Sequence, residues 1–275
     1  MRRIAGHGRR KPAGSPGGGP TRRGLLRLAA AAGAVAAAGA AGPAFGHGKD
    51  SALPGAAKGR PPVTGPLAGQ DFARLPISEK KVALTFDCGS SPDGVDKVLA
   101  ALEAHALPAT FFMTGRFASD HAEAARRIGR AYPVGNHSLT HPEFPKLTHD
   151  ERVRELRAAD RSIERAIGRA PAPLFRFPFG AVDRQCTDEV NAEGYVCVRW
   201  TVDTVGWKGA AAGATTDTVI ARVMEALTPG AIVLMHVGRT STADPSTVDA
   251  TALPHLIEAI DGQGYDYTSL APLIG

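Results

Sequence analysis

Two histidines four residues apart frame the stretch His137-Ser138-Leu139-Thr140-His141. Imidazoles at that spacing on one helical turn would aim both rings at a single cation. Ser138 stands where the H-E-x-x-H protease pattern needs glutamate, so that motif is missing. Gly135-Asn136 before the pair and Pro142 after it place the histidines in a loop or short turn. A third ligand would come from another strand end, with Asp87 and Cys88 as candidates. Asp87 closes the apolar run Val82-Ala83-Leu84-Thr85-Phe86. A carboxylate there faces a loop layer and can serve as a base toward a cation-activated water, although an aspartate in that position also caps turns. His236 ends Ile232-Val233-Leu234-Met235 in the same manner, although a surface histidine at a strand terminus is the plainer reading.

The elements that must position these groups follow from periodicity. Short β-type runs at 82–86, 109–113, 133–136, 174–177, 195–202, 231–235 and 265–268 alternate with segments of helical spacing. Val95, Val98, Leu99 and Leu102 mark one helical face, and Val219, Ile220, Val223, Met224 and Leu227 another. The clearest helix starts at Thr148, where Glu151 completes a capping box; it turns Val153, Leu156, Ile163 and Ile167 inward and closes at Gly168. This alternation predicts an α/β fold with about seven parallel strands, as an open doubly wound sheet or a barrel. No G-x-G-x-x-G follows the first strand, so a dinucleotide fold has no support. In either architecture function gathers at strand ends, and Asp87, His137, Gly180 and His236 all lie there.

The chain has 275 residues, three cysteines and a formal net charge of +5. Eleven of the 32 basic residues but only one of the 27 acidic residues fall in residues 1–60, leaving a net charge of −5 on the rest. The positive charge therefore belongs to the leader, and nucleic acid is not the expected partner. Arg22-Arg23 precedes an Ala-, Gly-, Val- and Leu-rich run that reaches Gly42. Residues 1–44 accordingly read as a signal peptide of twin-arginine type, removed in a mature form that has no membrane segment. Residues 45–75 read as a disordered linker and 76–275 as one domain, a monomer that is secreted or associated with the cell wall.

Five short motifs occur in order: Thr85-Phe86-Asp87-Cys88-Gly89, His137 to His141, Arg176-Phe177-Pro178-Phe179-Gly180, Asp203-Thr204-Val205-Gly206-Trp207 and Leu234-Met235-His236. Together they resemble the polysaccharide deacetylase family, the NodB homology domain of carbohydrate esterase family 4, over roughly residues 80–274. The resemblance implies a distorted (β/α) barrel with fewer than eight units. It also implies an exported metal-dependent hydrolase that removes N-acetyl groups from a polysaccharide such as chitin oligomers or peptidoglycan. An O-acetyl xylan esterase, or a catalytically weak glycan-binding pseudoenzyme, would fit the same motifs. By resemblance Asp87 is the base and His236 the acid, while His137 and His141 hold a divalent ion, usually zinc. Arg176, Pro178 and Phe179 would shape the substrate groove, and Trp207 with Leu234 would enclose the acetyl methyl group.

Two positions depart from the family pattern. Cys88 replaces the second aspartate, a metal ligand: its thiolate could bind zinc, it could leave the ion to two histidines, or it could be inert. Gly206 replaces an aspartate that helps set the pKa of the acid histidine, so His236 is expected to be a weaker acid unless Asp203 or Asp183 substitutes. Cys186 and Cys197 could form a disulfide, which would leave Cys88 unpaired.

Overall fold

The computed structural model describes residues 59–239, 243–270 and 273–274. The leader and the first part of the expected linker lie outside the described residues. The strands are β1 (Asp71–Phe72), β2 (Lys81–Cys88), β3 (Ala109–Met113), β4 (Val134–Asn136), β5 (Leu174–Phe175), β6 (Val196–Val198), β7 (Val202–Asp203), β8 (Ile232–His236) and β9 (Asp266–Tyr267). The helices are α1 (Val95–Ala104), α2 (Gly115–Asp120), α3 (Ala122–Ala131), α4 (His149–Ile167), α5 (Arg184–Ala192), α6 (Thr216–Ala226) and α7 (Val248–Asp261).

One curled sheet runs β1-β6-β5-β4-β3-β2-β8-β7, with β9 also beside β2. Every pairing between these strands is parallel, which gives the distorted β/α barrel expected of the motifs. Parallel sheets bury both faces, and β2 is buried at each position after Lys81. Side chains alternate across it with period two. Val82, Leu84, Phe86 and Cys88 pack on the helix side against residues such as Val98, Leu253 and Ile257. Thr85 and Asp87 therefore point to the opposite side.

Register decides what the strand ends bring together. Asp87 is the partner of His236 on β8 and of Phe112 on β3. Met113 is level with Asn136, the residue before His137, and Asn136 is level with Phe175, the residue before Arg176. Functional side chains separated by about 150 positions thus emerge at one carboxyl edge.

The boundaries differ from expectation in three places. The 195–202 run divides into β6 and β7 with a bend at Thr201 between them; Trp200 lines the cavity, while Arg199 reaches Asp71 on β1 and the Gly180 carbonyl. The ordered domain begins before residue 76: β1 pairs with β6, and Leu75 is buried, so the end of the predicted linker belongs to the fold. Helix α4 carries both predicted caps, Thr148 with Glu151 and a left-handed Gly168, but Arg152 is buried in place of Val153. Arg152 reaches Glu189 on α5 through two hydrogen bonds of 2.6 and 3.0 Å, so a satisfied ion pair rather than a valine fills that turn.

The disulfide that Cys186 and Cys197 could form is absent, for all three cysteines are free. Cys186 and Cys197 lie in an apolar cluster with Phe175 and Phe177. Burial pushes the Cys186 thiol up to about 11 and also raises the Cys197 thiol well above its ordinary value, which starves both of the thiolate that disulfide exchange requires.

Candidate active site

At the centre stands Asp87, 5 % exposed, with one carboxylate oxygen on each of two neighbours. Its Oδ1 accepts a 2.8 Å hydrogen bond from Arg176 Nη1, and Oδ2 lies 3.3 Å from His137 Nε2. Arg176 is completely buried. Its other N–H groups donate to Thr85 Oγ1 at 2.9 Å, to the Arg199 carbonyl at 3.1 Å and to the Val198 carbonyl at 3.4 Å, while the guanidinium lies over the Phe112 ring. The groove-shaping expectation for Arg176 is therefore corrected: its reach is spent inward, fixing Asp87. Burial opposes ionisation of Asp87, but His137, Arg176 and His236 outweigh it and hold the carboxyl below the usual range.

The histidine pair sits in a tight turn, not on a helix. Ser138 and His141 both have φ of 65°, the left-handed region. The turn is pinned at both ends. Asn136 Oδ1 accepts from the Ser138 N–H at 2.8 Å, Ser138 Oγ accepts from the His141 N–H at 3.0 Å, and Glu155 on α4 takes the N–H groups of Leu139 and Thr140. His137 Nδ1 lies 2.8 Å from the Arg176 carbonyl, which can only accept. The proton therefore belongs on Nδ1, leaving the Nε2 lone pair free on the Asp87 side. The two rings meet edge to face with centroids 4.8 Å apart. Burial lowers the pKa of His137; burial and then His137 itself push His141 down to about 4. Two neutral imidazoles, one with its lone pair fixed by a backbone carbonyl, fit a borderline divalent cation such as zinc.

Cys88 does not join them. It lies on the helix side of β2 in the apolar core, fully buried, and its thiol is pushed well up by burial. The tentative assignment of Cys88 as a ligand is thereby corrected, because alternation along the strand turns it away when Asp87 turns in. Among the described residues no group of three His, Cys, Asp or Glu side chains is placed to hold a metal. The donor set is two imidazoles, one protein ligand fewer than catalytic zinc sites use.

His236 completes the edge. Its backbone N–H donates to Asp249 Oδ2 at 2.9 Å, and its ring Nδ1 lies 3.7 Å from the same oxygen. Burial acts to lower its pKa, but Asp249 and Asp87 prevail and the net shift is upward. The sequence-based expectation of a weakened acid is thus reversed. Neither anticipated substitute supplies the main partner. Asp203 Oδ1 accepts from the Val205 N–H at 2.7 Å and Oδ2 from Trp207 Nε1 at 3.3 Å, whereas Asp183 caps α5 at the Cys186 N–H. No local pattern in the sequence marks Asp249, because its contact is made across the fold, from the first turn of α7 to the end of β8.

These groups open into a cavity of about 470 Å³ whose lining includes Asp87, His137, His141, Trp207, Leu234 and His236. Phe179 stands at the rim, 68 % exposed, its ring edge-to-face with His141 at 4.4 Å. Pro178 is buried in the turn Pro178–Gly180, so it carries the rim without lining it.

A parallel curled sheet thus brings a carboxylate, a histidine and a pair of imidazoles to one strand edge, an arrangement that can carry acid–base chemistry. The family model for polysaccharide deacetylase matches residues 75–198. A chitooligosaccharide deacetylase from Bradyrhizobium is 33 % identical over 70 % of this chain and 90 % of its own length. The peptidoglycan-N-acetylglucosamine deacetylase PgdA of Listeria monocytogenes is 32 % identical over 72 % of this chain but 40 % of its own. Among solved structures, a carbohydrate esterase family 4 pseudoenzyme from Bacillus anthracis aligns with a TM-score of 0.67 at 30 % identity, covering 76 % of this chain and 70 % of that one. The chain belongs to the polysaccharide deacetylase family of hydrolases.

Proposed function

We propose that this chain is an exported N-deacetylase that hydrolyses the acetamido group of N-acetylglucosamine units in a glycan, with chitin oligomers or peptidoglycan as substrate. The observation that carries the reading is the pairing of Asp87 with His236 at one level of adjacent strands, above the same cavity as two neutral imidazoles. The Bradyrhizobium and Listeria relatives, named for chito-oligosaccharide and peptidoglycan N-acetylglucosamine, support the substrate class. The arginine-pair leader supports export, after which the mature chain is a monomer at the cell wall or free of it. Among the described residues no helix is long and apolar enough to cross a membrane.

His137 Nε2 and His141 would hold the divalent ion, zinc by donor chemistry, and the ion when bound supplies a Lewis acid for the acetyl carbonyl. The protein's own groups do the rest. Asp87, kept ionised by Arg176, takes the proton from the attacking water. His236 gives a proton to the departing amine nitrogen. Trp207 and Leu234 present an apolar wall to the methyl group and keep bulk water from it. Phe179 offers a ring face at the rim for a neighbouring sugar.

Acetate release from chitopentaose and from peptidoglycan, by zinc-loaded protein, tests the reading. Release from at least one of them, with free amines appearing in equal amount, is expected; release only from acetylated xylan would overturn it. The pH profile is a second expectation. Turnover needs Asp87 ionised and His236 protonated, so the acid limb should lie below the ordinary carboxylate value of 3.8 and the alkaline limb above the ordinary histidine value of 6.5. An alkaline limb below that value would contradict the roles assigned.

A second reading has one observation in its favour. Cys88 faces the core, and a structural relative is a pseudoenzyme, so glycan binding without turnover would fit. Stoichiometric zinc with acetate release separates the two readings in favour of catalysis.

A further inference from the structure

We propose that Asp249 is the positioning residue for His236, a carboxylate delivered by α7 into the space that Gly206 leaves open. The inference rests on the reading of His236 as the acid. In the family pattern the corresponding carboxylate comes from position 206, and here no side chain can occupy that position. A Cβ on Gly206 would lie 2.1 Å from Asp249 Oδ1 and 2.5 Å from its Cγ. The two positions are therefore alternatives: the missing side chain at 206 and the carboxylate at 249 occupy one volume.

Asp249 is 2 % exposed in the first turn of α7, where the helix N-terminus favours a negative charge. Its Oδ2 holds the His236 backbone N–H and faces the ring Nδ1 at 3.7 Å. His236 Nδ1 and Asp249 Oδ1 are both buried atoms with no hydrogen-bond partner among the described residues. Such groups are costly to leave unmade, and catalytic hydrogen bonds often tighten only when substrate binds. A closure of under one ångström would convert the contact into an Nδ1–H···Oδ2 bond, fixing the ring so that Nε2 carries the proton to be donated. The backbone bond alone would be a structural role, and the experiment separates the two.

Asp249→Asn keeps an acceptor for the His236 N–H and removes the charge. For acetate release by zinc-loaded protein we expect kcat to fall about tenfold to a hundredfold with KM unchanged and the melting temperature close to wild type. Asp249→Ala should lose at least as much. Adding Gly206→Asp to Asp249→Ala should recover about tenfold, because the carboxylate returns to the same volume from the other side. Wild-type kcat in Asp249→Asn beside an inactive His236→Ala overturns this inference alone, as does a folded double variant without recovery. Full activity in His236→Ala overturns the acid reading and this inference with it. Nitrogen-15 NMR of the ring, assigned by the signal lost in His236→Ala, reads the contact without turnover. The His236 Nδ1 resonance should move in Asp249→Asn; an identical shift would refute the proposal.

Discussion

Asp87→Asn is expected to lower kcat for acetate release by about a thousandfold, the range supplied by a positioned base, while leaving a protein that still folds. The amide can accept from Arg176 Nη1 as the carboxylate does, so the geometry of the pocket floor is retained. What disappears is the charge. Arg176 is wholly buried, its other N–H groups face carbonyl and hydroxyl oxygens, and Asp87 is its only contacting anion among the described ion pairs. Breaking a buried ion pair from one side costs about 3–5 kcal/mol, so the variant should also melt well below wild type. The two effects separate by pH. The folded-state pKa of Asp87 is lowered, so its contribution to stability is fully present above the unfolded value near 3.8 and is lost as pH falls through the lower folded one. The stability gap between wild type and variant should therefore be full near neutrality and close only in strong acid. A gap that stayed constant with acidification would mean that Asp87 is not ionised beside Arg176, and the base assignment would fail with it.

The strand ends were legible in the sequence because a buried parallel strand writes itself as a continuous apolar run, and a polar residue closing such a run stands out. Asp87 and His236 stand out this way and His137 by its spacing from His141; the register sets Asp87 level with His236, and Asp87 Oδ2 lies 3.3 Å from His137 Nε2. What escaped were contacts made across the fold. The groove role of Arg176 comes from the family resemblance alone, and a motif does not say which way its side chain points. Only the three-dimensional meeting of β2, β3 and the end of β5 shows Arg176 walled in by Thr85, Asp87 and Phe112. Cys88 is a candidate ligand because it stands, next to Asp87, where the family pattern has a metal-binding aspartate. Adjacency along a strand is the geometry that separates two side chains, since successive residues face opposite sides. Gly135-Asn136 and Pro142 point to a loop or short turn for the histidines, and the turn is what forms. Its left-handed residues and its anchors on Asn136 and Glu155 are not encoded in any local period.

The position of Cys88 has a direct consequence for metal binding. Wild-type protein should bind one zinc per chain through His137 and His141, with an affinity lower than three-ligand sites reach, and His137→Ala should abolish it. Cys88→Ser should leave stoichiometry and affinity unchanged, because the thiol contacts the apolar core and not the cavity. Loss of zinc in Cys88→Ser would show instead that the thiolate turns inward to bind. Cys88→Asp probes the same point from the other direction. A carboxylate in that apolar cluster is costly to bury, and Cys88 is the last residue of β2, with Gly89 behind it. Rotation toward the cavity would relieve the burial and add a third ligand. Without metal the variant should melt below wild type; zinc should then raise its melting temperature by more than it raises the wild type's, since stabilisation grows with ligand concentration relative to Kd. Equal zinc-induced shifts in the two proteins would mean that the side chain at position 88 never reaches the ion, so that the half-site is fixed by the strand and not by the residue it carries.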